Sequence, residues 1–190
     1  QLCDSARNAV LVVPQGPYDA PDSFDGKLED PGGFKQFVDD VLAELRRSEV
    51  LKRNDFKLGR VILSGHSGGY QVISSILDCG GLIEPIKEVW LFDALYAQTP
   101  KFMNWADHHA GRFIVLYTDH GGTLQETQKL MNDLKVREAP FFSGEEEQVT
   151  ASELERERLI LLHSNLPHDD VLDKHRTFQR FLETSCLEKR

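Results

Sequence analysis

The stretch Val61-Ile62-Leu63-Ser64-Gly65-His66-Ser67-Gly68-Gly69, continuing as Tyr70-Gln71-Val72-Ile73-Ser74-Ser75-Ile76-Leu77, decides the fold. Val61–Leu63 is a short aliphatic run of the kind buried in a sheet, and it breaks at Ser64–Gly69. A helix is expected from Gly68 to Asp78, because its apolar residues recur at helical spacing. Gly80-Gly81 then ends it, since glycine adopts the left-handed backbone found just past a helix terminus. A strand that turns through glycines into a helix presents the residue at the turn in a sharp, exposed position. Here that residue is Ser67, within a match to G-x-S-x-G.

The same alternation extends outward. Upstream, Asn8–Val13 (NAVLVV) reads as a buried strand, residues 15–33 as a long surface loop rich in Gly, Pro and Asp, and Phe34–Leu51 as an amphipathic helix. Downstream, Glu88–Phe92 and Arg112–Tyr117 read as strands separated by an irregular or weakly helical stretch over 97–111. Thr123–Leu134 is expected as a helix with Thr123 and Glu126 as a capping box. Residues 143–157, with Glu145-Glu146-Glu147, read as a solvated excursion, Leu159–Leu162 as the last strand and Val171–Leu182 as the last helix. Short apolar strands alternating with helices predict an α/β fold, a mainly parallel sheet flanked by helices on both faces. No repeat or linker divides residues 1–190, so a single domain is expected.

Composition narrows the function. The net charge of -9 lacks the dense basic footprint that nucleic-acid binding needs and is repelled by anionic membranes. No apolar run approaches the roughly 20 residues of a membrane-spanning helix. Three widely spaced cysteines, Cys3, Cys79 and Cys186, fit reduced thiols rather than a disulfide framework, and a cytoplasmic location is expected, with secretion after signal removal left open. There is no GxGxxG, no GxxxxGK[ST] and no HExxH, so neither a cofactor nor a metal is expected. Trp90 is expected in the core, and Tyr70, Tyr96, Phe102 and Trp105 either in the core or on a substrate pocket.

A serine hydroxyl becomes a nucleophile when a base takes its proton. Of seven histidines, His168 is the candidate base, because it follows the last strand on a short loop; His163 is second. His66 adjoins Ser67 and is expected to point away from it, His108 and His109 are expected at the surface or in packing, and His175 is expected exposed. The base needs an acid to hold its tautomer and stabilise the imidazolium, and strand-end aspartates supply one. Asp119, one strand before the histidine, is preferred; Asp93, ending the preceding strand, is the alternative acid. Asp169 and Asp170 are expected to cap the following helix. Gly68, at the helix N-terminus, offers its N–H to a developing oxyanion.

GHSGGY at the elbow, TDHGGT at the acid and LPHDDV at the histidine, in the order Ser67, Asp119, His168, resemble the α/β-hydrolase superfamily, nearest to uncharacterised bacterial esterase-like hydrolases. The resemblance implies a serine hydrolase acting on a small-molecule acyl substrate through a Ser-His-Asp triad. A serine peptidase and a non-catalytic binding protein of the same fold are the alternatives, and homo-oligomerisation stays open. It also implies that the first three strands of the fold are absent from these 190 residues. With them would go a histidine-glycine loop carrying the second oxyanion donor, for which the Gln15-Gly16 turn is a substitute.

Overall fold

A computed structural model describes residues 1–19, 26–50 and 57–190. The α/β expectation holds: among the described residues, five strands form one wholly parallel sheet. The strands are β1 (Val61–His66), β2 (Ile86–Phe92), β3 (Arg112–Thr118), β4 (Phe142–Glu145) and β5 (Leu159–Ser164), ordered β1-β2-β3-β5-β4. The helices are α1 (Gly33–Arg47), α2 (Gly69–Cys79), α3 (Thr99–His108), α4 (Leu124–Val136), α5 (Ala151–Arg156) and α6 (Thr177–Glu183).

The central strands are apolar on both sides because both sides are covered. Val89, Leu91, Phe113, Val115 and Leu161 point into a core shared with α1, α2, α3 and α4. Their neighbours Trp90, Phe92, Ile114, Leu116, Ile160 and Leu162 point into a second core with α5 and α6. The period-2 alternation of a strand thus serves two cores at once.

Several local expectations fail for identifiable reasons. Asn8–Val13 forms no strand, and Val10, Leu11, Val12 and Val13 are exposed, Val13 at 80%. Among the described residues its apolar run pairs with no strand: the chain is tied down just before it, where Arg7 bridges Lys189 and Asn8 N–H donates to Glu188 O. Among the described residues β1 pairs only with β2, so its other edge is open. The stretch over 97–111 holds a regular helix, α3 (Thr99–His108), with Pro100 in its first turn and Phe102, Met103, Trp105 and Ala106 buried at helical spacing.

The acidic excursion is ordered rather than solvated: it holds β4 and α5, and Glu146 is 1% exposed. Glu146 accepts hydrogen bonds from His175 Nδ1, Thr177 Oγ1 and Arg180 Nη1, and so fastens α6 to the β4–α5 connection. The expected last helix is shortened to α6, because positive φ at His175 and Arg176 breaks the helical path just before Thr177. The capping box forms not at Thr123 but at Thr150–Glu153. In the loop expected over 15–33, the described part contains a 3-10 turn at Lys27–Glu29; Leu51, the expected end of the first helix, lies outside the described residues.

On the α6 face, Glu88 and Arg112 are opposed in register across β2 and β3 and form a buried ion pair, Nη2 to Oε2 2.6 Å. Trp90 Nε1 and the Cys186 N–H also donate to Glu88, and Arg112 donates to Leu154 O, so both charges are fully engaged. Burial, then the Glu88 carboxylate, pushes the Cys186 thiol up to about 12, leaving it inert. Replacing Arg112→Met leaves the Glu88 carboxylate buried without its countercharge. The expected loss is about 3–5 kcal/mol, read from urea unfolding midpoints.

Candidate active site

β1 runs on to His66, and the chain then reverses into α2 at Ser67, whose φ of 54° lies in the left-handed region. A non-glycine residue is strained there and needs surrounding structure to hold it. Gly65 permits the reversal: a Cβ on it would lie 2.7 Å from Ile73 Cδ1 and 3.2 Å from the Gly69 carbonyl carbon. Gly69 has open space at the same position. Ser67 is half-buried, and its N–H donates to Phe92 O across the sheet. As the N-cap residue of α2, Gly68 is one of the helix's first residues, whose N–H groups lack intrahelical acceptors.

Asp93 stands beside Ser67 on the adjacent strand end, because His66 and Phe92 are the last register pair of β1 and β2. It too has a positive φ, 45°, and it is fully buried. Its Oδ1 accepts from Thr118 N–H at 3.1 Å and from the Thr123 hydroxyl; its Oδ2 accepts from Thr118 Oγ1 at 2.9 Å and from His168 Nδ1 at 2.6 Å. Thr123 turns its hydroxyl to Asp93 and makes no side-chain cap bond to α4; Glu126 accepts from Thr99. Facing a carboxylate, His168 Nδ1 carries the proton and Nε2 is left free to accept one.

His168 begins a one-turn 3-10 segment, His168–Asp170, directly after β5 and Pro167. The neighbouring Asp169 and Asp170 belong to this turn, whereas the helix α6 begins only at Thr177. Tyr96, three residues past Asp93, packs edge-on to His168 with ring centroids 6.4 Å apart, and its ring also meets Tyr70 at 5.8 Å. Burial and then the Asp93 charge raise the Tyr96 phenol above its ordinary value, while the nearby Ser67 hydroxyl acts in the opposite direction.

The structure thus joins His168 to Asp93, the alternative acid, and not to Asp119. Asp119 is exposed and lies with His163, Nε2 to Oδ1 3.2 Å, where Glu145 also binds His163 Nδ1 at 2.9 Å. Both aspartates end parallel strands, but Thr118 and Thr123 close around Asp93, whereas Asp119 faces His163 on β5. The signal in the sequence was the glycine pair after Asp119: a Cβ on Gly121 would sit 1.7 Å from Asp93 Oδ2. Only a glycine lets the TDHGGT loop lie against that carboxylate.

Phe102 and Trp105 are core residues, whereas Tyr70 and Tyr96 are half-buried at the elbow. The exposed Gln15–Gly16 turn bonds only within itself among the described residues. Two surface concavities, of about 560 and 680 Å³, lie at the α2–β2 connection and between α3 and α4, and neither includes Ser67. Among the described residues no group of His, Cys, Asp and Glu is arranged to hold a metal, and no helix is long and apolar enough to cross a membrane.

Gly121→Ala is expected to drive Asp93 away from His168 and to lower stability, measurable as a fall in melting temperature and a changed His168 ring signal by NMR. His163 supplies a pH-dependent test. Burial, the largest single influence, disfavours its charged ring, but Glu145 and Asp119 together outweigh it, and its pKa is raised. Its contribution to stability is therefore full below the unfolded value of about 6.5 and is lost as pH rises through the higher folded value. His163→Gln should remove this slope from the pH dependence of the urea midpoint. Comparison of the chain with protein-family models, with curated proteins and with solved structures finds no match in any of the three.

Proposed function

We propose that the protein is a serine hydrolase of the α/β-hydrolase type that cleaves an ester-like acyl substrate through Ser67, His168 and Asp93. The observation that carries this reading is the 2.6 Å bond from His168 Nδ1 to the fully buried Asp93, made beside a serine held at positive φ. A buried carboxylate on Nδ1 selects the tautomer whose Nε2 can act as a base and stabilises the imidazolium that follows.

The chemistry runs in two halves. Ser67 Oγ attacks the acyl carbon while His168 Nε2 takes its proton. The oxyanion that forms on the carbonyl oxygen lies toward the first N–H groups of α2, with Gly68 N–H as the donor next to the serine. Collapse expels the alcohol, which receives the proton from His168, and leaves Ser67 acylated. Water then attacks with His168 again as base, releasing the acid and restoring the serine.

A binding protein that keeps the shape of the elbow without its chemistry is the second reading. One feature favours it: among the described residues, no hydrogen bond joins the Ser67 hydroxyl to His168. Such bonds often tighten only once substrate is present.

A fluorophosphonate probe decides between the two, since it labels an activated serine. Labelling of the wild type and its loss in Ser67→Ala are expected. Asp93→Asn should slow ester turnover by up to about 10⁴-fold, because the wrong tautomer is then favoured, while Asp119→Asn should leave it nearly unchanged. Equal losses in the two aspartate variants would reject the assignment of the acid, and an unlabelled wild type would reject the hydrolase.

A further inference from the structure

His66 is the last residue of β1, and its side chain reaches His168. Its Nε2 lies 2.9 Å from the main-chain oxygen of His168, and the two imidazole rings pack with centroids 4.5 Å apart and planes tilted by 30°. A carbonyl oxygen can only accept, so His66 Nε2 carries the proton and donates it. Within its turn, Asp170 N–H donates to Pro167 O and leaves the His168 oxygen to other donors. The His168–Asp170 turn is a single one at the rim, with Pro167 and Asp169 exposed on either side of His168. The Asp93 bond fixes one ring nitrogen of His168, yet a ring held at one atom can still pivot about that bond. The second hold comes from His66, through the peptide and across the ring face.

We propose that His66 is a positioning residue for His168. Its Nε2–H anchors the histidine loop through the His168 carbonyl, and its ring backs the imidazole, so that His168 cannot swing away from the elbow. Placing this anchor on the residue just before Ser67 ties base and nucleophile to one strand end, so that a movement of β1 carries both. The inference rests on the serine hydrolase reading, since it concerns the aim of that base.

The test compares fluorophosphonate labelling rates of the full chain carrying His66→Phe, which keeps a stacking ring but no donor, and His66→Gln, whose amide restores an N–H. His66→Asn, too short to reach, stands in for Phe should that variant fail to fold. Labelling of the Phe (or Asn) variant is expected to fall about tenfold or more, because small misplacements of a catalytic group are costly. The Gln variant should recover to within about threefold of wild type by the same principle. The downfield NMR resonance of the His168 Nδ1 proton should broaden in the Phe variant and return in the Gln variant, a readout that does not depend on turnover. A labelled wild type with a Phe variant of equal rate, or a Gln variant no better than Phe, overturns the role of His66 alone. An unlabelled wild type overturns the hydrolase reading and this inference with it.

Discussion

The Asp93 carboxylate is a charge with no access to water, and the upper rim of the sheet is arranged around satisfying it. An unpaired buried carboxylate is strongly disfavoured, so each of its lone pairs must meet a donor. Thr118 provides two, Thr123 a third and His168 a fourth, from the β3 strand end, the start of α4 and the loop after β5. Three loops that are distant in sequence are thereby pinned to the end of β2. Gly121 is the spatial condition for this, since any side chain there would occupy the carboxylate's own place.

Two residues with left-handed backbone stand side by side at this rim. Ser67 and Asp93 follow the last register pair of adjacent parallel strands, and both adopt left-handed backbone. Strain of this kind persists only where the surroundings overdetermine it. At Ser67 those surroundings are the close strand–helix approach at Gly65 and the N–H bond to Phe92 O; at Asp93 they are the four donors. Two other buried carboxylates are likewise fully engaged, Glu88 with Arg112 and Glu146 with Arg180, His175 and Thr177. Each of these clusters binds the α6 side of the molecule to the sheet rather than shaping a site.

Histidines at the rim divide by their carboxylate partners. His168 meets a buried aspartate and two aromatic neighbours, whereas His163 meets Glu145 and Asp119 at the exposed edge. Two His–Asp pairs therefore stand at the C-terminal ends of the strands, one inside and one outside. Only the inner pair adjoins the strained serine.

By itself, the sequence determined the parallel α/β architecture and the elbow at Ser67, because strand alternation, glycine turns and helical spacing are local patterns that neighbouring residues impose on one another. It also marked His168 by its place after the last strand. Which aspartate meets that histidine was decided only by tertiary structure: Asp93 and Asp119 both end apolar parallel strands, and sequence order says nothing about which strand end the histidine loop leans over. Nor could local pattern foresee that Asn8–Val13 would stay out of the sheet, since a strand exists only when a partner supplies its hydrogen bonds. The burial of Glu146 inside an acidic run has the same cause, for its donors His175, Thr177 and Arg180 lie about thirty residues away and reach it only through the fold.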